Sequence, residues 1–207
     1  KYFITRAVGK SWLFKPDIMI CVPAGCTQVE RRAAQDATMS AGARQVYLID
    51  EPLAAAIGAG IPIAEASGNM ILDIGGGSAE AAVIALGGVV VHKSVRVGGT
   101  KLDEAIMDYA RRTHSLIIGD QTAEKVKIKI GSATKLAREE TMNVKGRDVV
   151  TGLPRTVVFS SNDVWTAMQK PLSQIVGAVK AVLEETPPEL SSDIIDKGIV
   201  MSGGTST

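Results

Sequence analysis

The amino-acid sequence predicts an α/β protein built from two related halves. Residues 18–25 (IMICVPAG) and 198–204 (GIVMSGG) are both apolar, strand-like runs that lead into glycine. Between them, strand-like runs alternate with segments of helical spacing, which is typical of α/β folds. In a duplicated α/β architecture a ligand is expected in the crevice between the halves.

The first elements of the chain alternate between helix and strand. Residues 1–9 have the pattern of the end of a helix that began before residue 1, and residues 17–23 (DIMICVP) predict a buried strand. Thr27 followed by Glu30 is a capping-box pattern and predicts the start of a helix, which Gly42 ends. Helical spacing places four apolar residues on one face: Val29, Ala33, Ala37 and Ala41.

A second strand–helix pair follows. Residues 45–49 predict a strand, and the next helix opens with Glu51 and Pro52, since proline suits a first helical turn. This alanine-rich helix is expected to end near residues 58–60. From Asn69 the pattern changes to hairpins, with strands at 69–73, 81–86 and 89–97.

The remainder predicts helices around a small antiparallel insert. Thr100 is expected to cap a helix, with Leu102, Ile106 and Tyr109 on one face. Residues 122–130 predict a short helix, although Val126, Ile128 and Ile130 also alternate as in a strand. Residues 141–159 predict the antiparallel segment and 161–185 a long helix, which Pro171 is expected to kink. We predict a first lobe over 1–66 and a second over 67–207, with an insert at about 115–160.

Composition excludes several classes of protein. Lys and Arg total 23 against 22 Asp and Glu, so no overall field attracts nucleic acid. The longest apolar stretch, residues 81–91, is shorter than the roughly 18 residues of a membrane span. No signal-peptide pattern opens the chain, so we expect a cytoplasmic protein.

The few cysteines and histidines disfavour zinc and nucleophilic chemistry. Cys21, Cys26, His92 and His114 are the whole set, and a four-ligand zinc site would need every one of them. Cys21 lies in an apolar run and is predicted to be a core residue. His92 in a strand and His114 at a helix end are predicted to be structural, so a histidine-dependent hydrolase is not expected.

One hairpin carries the clearest chemical pattern. Asp73 ends a strand, Gly75, Gly76 and Gly77 follow, and Ser78 supplies a hydroxyl. Glycines leave backbone N–H groups open to a phosphate, whereas a simple hairpin needs only one or two of them. The alternative is a flexible turn. The P-loop and dinucleotide patterns at residues 9–11 and 58–60 are incomplete.

These motifs, in this order, resemble the superfamily of actin, heat-shock chaperones and sugar kinases. The finer resemblance is to the MreB family of bacterial actin-like proteins, and it extends over essentially the whole chain. It is carried by residues 29–33 (VERRA), 50–60 (DEPLAAAIGAG) and 146–155 (GRDVVTGLPR). The resemblance implies an actin-like, ribonuclease H-like ATPase fold of two lobes with a small α+β insert. It also implies an ATP-binding protein that polymerises into membrane-associated filaments and organises cell-wall synthesis to set rod shape.

The resemblance implies a role for each hairpin residue. Asp73 holds Mg²⁺ through water, and Gly75, Gly76 and Gly77 wrap the β- and γ-phosphates of ATP or GTP. Glu51 orients the attacking water, assisted by the Ser78 hydroxyl. Because phosphoryl transfer depends mainly on positioning, such a site needs no histidine. The activity implied is a slow ATPase coupled to polymerisation.

Other residues are expected at the rest of the nucleotide. The resemblance places four glycines near the ribose, adenine and α-phosphate, and two charged residues at the nucleoside: Gly98, Gly99, Gly203, Gly204, Glu124 and Lys127. The alternative for Glu124 and Lys127 is a solvated pair one helical turn apart.

The sequence also departs from the family pattern. The family usually has Thr at Ser78 and often an acid at Thr100. Its first phosphate hairpin, near the N-terminus, is absent here, and so is everything after residue 207, so we expect a fragment that binds nucleotide poorly or is inactive. Two rivals stay open: a chaperone-type ATPase or small-molecule kinase on the same fold, and a scaffold that binds nucleotide without hydrolysis.

Partners are also implied by the resemblance. Trp12, Leu13 and Phe14, between two lysines, are similar to the hydrophobic loop by which the family inserts into the inner membrane leaflet. The alternative is that these side chains pack against the neighbouring strand. The remaining expected partners are other copies of the chain, as paired protofilaments, and cell-wall elongation proteins. The helix from Thr27 to Ala41 is expected to contribute to the pairing, and the location is the inner face of the cell membrane.

Overall fold

The computed structural model describes residues 1–9 and 15–206. The membrane-loop residues Trp12, Leu13 and Phe14 therefore lie outside the described residues. The helices are α1 Tyr2–Val8, α2 Gln28–Ser40, α3 Glu51–Gly58, α4 Gly99–His114, α5 Asp120–Ile130, α6 Ser161–Glu185 and α7 Pro188–Lys197. The strands are β1 Asp17–Val22, β2 Gln45–Asp50, β3 Asn69–Ile74, β4 Ala79–Ala85, β5 Gly88–Val95, β6 Leu116–Ile117, β7 Thr141–Asp148, β8 Pro154–Ser160 and β9 Ile199–Ser202.

The strands form three sheets. Strands β1 and β2 pair in parallel, from Asp17 opposite Gln45 to Val22 opposite Asp50. A four-stranded sheet has the order β5-β4-β3-β9, and a three-stranded sheet has the order β6-β7-β8 with antiparallel pairing. The predicted hairpins after Asn69 and the predicted antiparallel insert are both confirmed.

The chain divides into two compact units. The first unit comprises Lys1–Leu72, Glu80–Ser94 and Val182–Val200, and the second comprises Asp73–Ala79, Val95–Ala181 and Met201–Thr207. Both units are discontinuous in sequence, so they do not coincide with lobes at 1–66 and 67–207. That division into lobes stays a prediction.

In the first unit, the N-terminus of α2 forms the predicted capping box. The Thr27 hydroxyl accepts from the Glu30 N–H at 3.3 Å, and the Glu30 carboxylate accepts from the Thr27 N–H at 2.8 Å. The apolar face predicted for this helix is exposed, with Val29 at 78%. Arg31 lies on a half-buried face instead and forms an ion pair with Asp50 at the end of β2.

The prediction that Cys21 is a core residue was wrong. Burial alternates along β1, because successive side chains of a strand point to opposite faces, and Cys21 lies on the exposed face with Met19. Val22, on the other face, is only 5% exposed. Cys26 is half-buried and free; burial and the nearby Glu30 carboxylate raise the pKa of its thiol.

The core of the first unit lies around β4. All residues of β4 are buried, which explains its almost unbroken run of small and apolar residues (AEAAVIA). Glu80 is the charged residue in this run; it is 3% exposed, and its carboxylate accepts weakly from the Ala24 N–H at 3.5 Å. The central cluster consists of Ala56, Ile71, Ala82 and Ile84.

The core of the second unit forms between α4, α5, α6 and the three-stranded sheet. Helix α4 buries Leu102, Ile106 and Ala110 at a spacing of four residues. Helix α5 buries Ala123, Val126 and Ile130, and this helical spacing settles the choice between helix and strand there. Among the described helices, none is long and apolar enough to cross a membrane.

The start of α4 differs from the prediction. Gly98, not Thr100, is the N-cap residue, so Thr100 lies inside the first turn. A side-chain cap is not needed because carbonyl groups of the glycine hairpin accept the free N–H groups of this turn: Gly99 donates to Gly75 O at 3.0 Å and Thr100 to Gly76 O at 2.8 Å.

The turn between β7 and β8 is fixed by one carboxylate. Asp148 Oδ1 accepts from the N–H groups of Val150 at 2.9 Å and Thr151 at 2.8 Å, and Arg155 Nη1 lies 2.8 Å from Oδ2. The hydrogen bond from Thr151 and the Arg155 guanidinium hold the pKa of Asp148 well below its ordinary value. The turn presents an apolar side chain, Val150, which is 85% exposed.

Candidate functional site

The second compact unit brings together three glycine-containing segments that are far apart in sequence. The first turn of α4 bonds to the carbonyls of Gly75 and Gly76, as described above. From the segment after β9, Thr205 donates its N–H to Ile74 O at 3.2 Å and its hydroxyl to Gly75 O at 3.1 Å. The hairpin between β3 and β4, which we call the glycine hairpin (residues 74–78), is thus held on two sides.

Close packing explains why Gly98 and Gly99 lack side chains. A Cβ on Gly98 would lie 2.4 Å from Gly75 O and 2.8 Å from Gly76 O. A Cβ on Gly99 would lie 2.7 Å from the Thr205 hydroxyl oxygen. At Gly98 the clash is with backbone atoms, whereas at Gly99 it is with the Thr205 hydroxyl, which would have to shift away from Gly75 O. The structure therefore places both glycines against the glycine hairpin, whereas their expected approach to the ribose, adenine and α-phosphate stays a prediction.

Gly203 is required for two separate reasons. Its φ is +88°, in the left-handed region that favours glycine, and a Cβ there would lie 2.3 Å from Ile74 O. The same Cβ would lie 2.9 Å from Asp73 Oδ1. The space beside Gly204 is open among the described residues, so packing does not explain the glycine at that position.

Asp73 lies next to the end of β3 and is half-buried. Ser202, at the end of β9, donates its hydroxyl to Asp73 Oδ1 at 2.6 Å. Among the described residues no hydrogen bond to the other carboxylate oxygen is seen, so that oxygen could accept from a water molecule or bind a cation. Ser202 was not predicted from the sequence, although it ends a strand and directly precedes a glycine.

The tip of the glycine hairpin is open. Gly75 donates its N–H to Ser78 O at 2.9 Å, which closes the loop. Gly76 and Gly77 are exposed, and within the described part of the chain their N–H groups make no hydrogen bond to a protein acceptor. A Cβ on Gly76 would meet only the Thr100 hydroxyl at 4.0 Å, and one on Gly77 would meet nothing within 4 Å. The tip can therefore accept an external anion on bare backbone.

Lys127 has a partner other than Glu124. Its side chain is 15% exposed, and its Nζ donates to Asp103 Oδ2 at 3.0 Å and to Gly99 O at 3.3 Å. Glu124 is exposed. The alternative of a solvated Glu124–Lys127 pair was therefore wrong. Asp103 was missed because it lies on another helix, and only the tertiary structure brings it to Lys127.

Glu51 belongs to the first compact unit. It is the first residue of α3, directly after Asp50, and it is half-buried. Because β1 and β2 are parallel, their carboxyl ends lie at one edge of the sheet, and Glu51 lies at that edge. Its predicted approach to Asp73 and Ser78, which belong to the second unit, stays a prediction.

The side chains of the candidate site fit a magnesium ion whose ligands are mostly water and phosphate oxygens. In the described ranges, no group of three or more His, Cys, Asp or Glu residues is arranged to hold a metal. Mg²⁺ commonly keeps several waters and binds through one or two carboxylates together with substrate phosphates. Asp73, with one oxygen held by Ser202, fits that donor set.

Comparisons with known proteins show the family of the chain. The MreB/Mbl protein family matches residues 1–207. The chain is 49% identical over 205 residues to the cell shape-determining protein MreB of Escherichia coli (strain K12), covering 99% of this chain and 59% of that protein. It is 45% identical over 204 residues to the cell shape-determining protein Mbl of Bacillus subtilis (strain 168), covering 99% and 61%. The chain thus spans about three fifths of the length of these relatives.

Solved structures show the same fold. Crystal structures of MreB5 of Spiroplasma citri, bound to AMPPNP or to ADP, match with TM-scores of 0.91 and 0.90 at 37% identity, over 98% of this chain and 61% of that protein. The MamK double helical filament matches with a TM-score of 0.78 at 19% identity, over 98% of this chain and 60% of that one, and so supports the fold alone. The predicted actin-like fold is confirmed, and the chain belongs to the MreB/Mbl family.

Proposed function

We propose that this chain is the nucleotide-binding part of an actin-like protein that binds Mg-ATP and polymerises to determine cell shape. The observation that carries the proposal is the convergence of three glycine segments beside Asp73, with the N–H groups of Gly76 and Gly77 left open. The names of the relatives, cell shape-determining proteins, and the nucleotide complexes of S. citri MreB5 support it.

In this proposal the glycine hairpin holds the phosphates. Gly76 and Gly77 donate backbone N–H groups to the β- and γ-phosphate oxygens, and Gly75 shapes the loop. Asp73 would hold a magnesium ion through water, and the ion would neutralise phosphate charge. Glu51 orients the attacking water and the Ser78 hydroxyl assists, so that slow hydrolysis follows from positioning.

The nucleoside is proposed to lie along the remaining glycines. Gly98 and Gly99 pack without side chains on the hairpin, and a Cβ on Gly203 would lie only 2.9 Å from Asp73 Oδ1, so bare backbone is proposed to form the walls. Gly204 is proposed to contribute backbone at the same wall. Glu124, which is exposed, is proposed to contact a ribose hydroxyl. Lys127 is proposed to contact the nucleoside while it stays paired with Asp103.

The first prediction concerns assembly. The intact protein with Mg-ATP should form filaments, and these should be paired, because α2 presents an exposed apolar side chain, Val29, beside Arg32 and Asp36. Negative-stain electron microscopy with and without ATP measures this. The absence of filaments at all nucleotide concentrations would exclude the proposed function.

Two variants of one residue test pairing within that experiment. Val29→Glu should bind ATP normally but give single filaments, since a charge buried in an interface costs free energy unless it is paired. Val29→Ile keeps the surface apolar and should still give doublets. Because Val29 is 78% exposed, neither change is expected to disturb folding.

The second prediction concerns the membrane, and we propose that filaments dock on its cytoplasmic face. Trp12, Leu13 and Phe14 are the proposed anchor, which lies outside the described residues. Each apolar side chain buried in lipid contributes roughly 1.5–3 kcal/mol, too little to hold one subunit, but a filament repeats the loop. The Trp12→Ser, Leu13→Ser, Phe14→Ser variant should polymerise yet no longer sediment with anionic liposomes.

A matched variant controls for general loss of apolar surface. Phe3 of α1 is 82% exposed, so Phe3→Ser removes a comparable aromatic group close by in sequence. Liposome binding that survives Phe3→Ser but not the triple change supports the loop as anchor. Equal binding of the parent and the triple variant contradicts it. Cell-wall elongation proteins are proposed as partners of the docked filament.

A further inference from the structure

The ion pair between Asp103 and Lys127 links two helices at the wall of the candidate site. We propose that Asp103 is a positioning residue for nucleotide binding: through Lys127 it holds the first turn of α4 against the glycine hairpin. This inference rests on the proposed function, since it assigns a role to a further residue of the same site.

The pair is largely shielded from solvent. Both side chains are 15% exposed, and Lys127 Nζ lies 2.9 Å from Asp103 Oδ1 and 3.0 Å from Oδ2. A lysine ammonium has three hydrogens to donate. Another of them is directed to Gly99 O, at 3.3 Å. Asp103 and Gly99 together therefore fix where the ammonium lies.

The contact continues from Gly99 into the hairpin. Gly99 donates its N–H to Gly75 O at 3.0 Å, and the next residue, Thr100, donates to Gly76 O at 2.8 Å. A Cβ on Gly99 would lie 3.2 Å from Lys127 Nζ, so the ammonium packs directly on this glycine. A displaced Lys127 would remove its hydrogen bond to the Gly99 carbonyl and its packing on Gly99, and so loosen the turn that supports Gly75 and Gly76.

Positioning and simple charge predict opposite results for one substitution. Asp103→Asn removes one negative charge beside a site for a polyanion, and the weaker repulsion alone should tighten nucleotide binding. If Asp103 instead holds Lys127 in place, the same change should weaken binding. The sign of the change in affinity therefore separates positioning from charge.

Helix α4 also supplies a matched control. Lys101 and Glu104 form an ion pair one turn apart on the same helix, with side chains 52% and 47% exposed. Glu104→Gln changes the net charge by the same amount as Asp103→Asn. Exposed pairs of this kind contribute little. The control should leave nucleotide affinity unchanged.

The test measures the affinity of the intact protein for Mg-ADP by calorimetry. Asp103→Asn and Lys127→Met should each weaken binding about tenfold, the loss expected when a charge-assisted hydrogen bond is removed. The double variant should bind no more weakly than either single variant, because both changes remove one interaction. Melting temperatures of the ligand-free proteins show whether the variants fold. If the role of Asp103 were purely structural, Asp103→Asn would lower the melting temperature without changing the nucleotide affinity of the folded protein.

Two outcomes overturn the proposal. One is an Asp103→Asn protein that folds and binds Mg-ADP as tightly as the parent or more tightly. If Asp103→Asn does not fold, the double variant is measured instead, because it leaves no unpaired buried charge. The second overturning outcome is a double variant that binds Mg-ADP as tightly as the parent. A parent protein that binds no nucleotide overturns the proposed function and this inference together. Normal binding by the parent and by Asp103→Asn overturns only the inference.

Discussion

Asp73→Ala is expected to abolish magnesium-dependent nucleotide binding. The change removes the carboxylate that we propose holds the metal through water, and affinity for Mg-ATP should fall by about 100-fold or more, toward the value measured without magnesium. Calorimetry with and without Mg²⁺ gives the result directly. Binding that keeps its magnesium dependence would show that another group holds the ion.

Two further variants separate the metal from the hairpin. Ser202→Ala removes the hydroxyl that bonds Asp73 Oδ1 but keeps the carboxylate, so binding should weaken only modestly and stay magnesium-dependent. Gly76→Val places a branched side chain where the structure leaves open space. That protein should therefore fold and yet exclude the phosphates; tight binding by it would mean that the hairpin is only a turn.

Glu51→Ala is expected to slow phosphate release by ~10²-fold or more while nucleotide affinity stays nearly unchanged. A group that positions the attacking water acts on turnover and contributes little to ground-state binding. Single-turnover phosphate release and calorimetry on the same preparation measure the two quantities. Unchanged turnover would remove Glu51 from the mechanism.

A glutamate of the same unit provides the comparison for Glu51. Glu65 is exposed, so Glu65→Ala removes a carboxylate without a proposed role. Its turnover should equal that of the parent. If Glu65→Ala slows release as much as Glu51→Ala, the effect comes from the net charge of the unit and not from a positioned water.

Local signals in the sequence predicted most of the elements. The capping box at Thr27 and Glu30 placed the start of α2, and the long helix predicted over residues 161–185 is observed as α6. The glycine hairpin was predicted from Asp73 and the residues after it, because consecutive glycines cost backbone entropy that a simple turn does not require. These signals act over a few residues and so can be read without the fold.

Long-range contacts could not be predicted in the same way. Cys21 is exposed because only one face of β1 is covered, and apolar character alone does not tell the faces apart. Thr100 is not a cap, since a carbonyl from a remote hairpin accepts its N–H. Lys127 pairs with Asp103 on another helix, although Glu124 is three residues away. Each error depended on tertiary packing, which residues near in sequence do not show.

The hydrogen bonds that hold the glycine hairpin come mostly from main-chain atoms. Gly99, Thr100 and Thr205 all donate backbone N–H groups to hairpin carbonyls, and every residue except proline owns such a group. What evolution must preserve there is chiefly empty space: positions 98, 99 and 203 have to stay without side chains. Apart from Asp73, Asp103 and Lys127, for which we propose roles, neighbouring side chains are then free to diverge. A lineage can therefore rewrite many positions of this region and still keep the open backbone at Gly76 and Gly77.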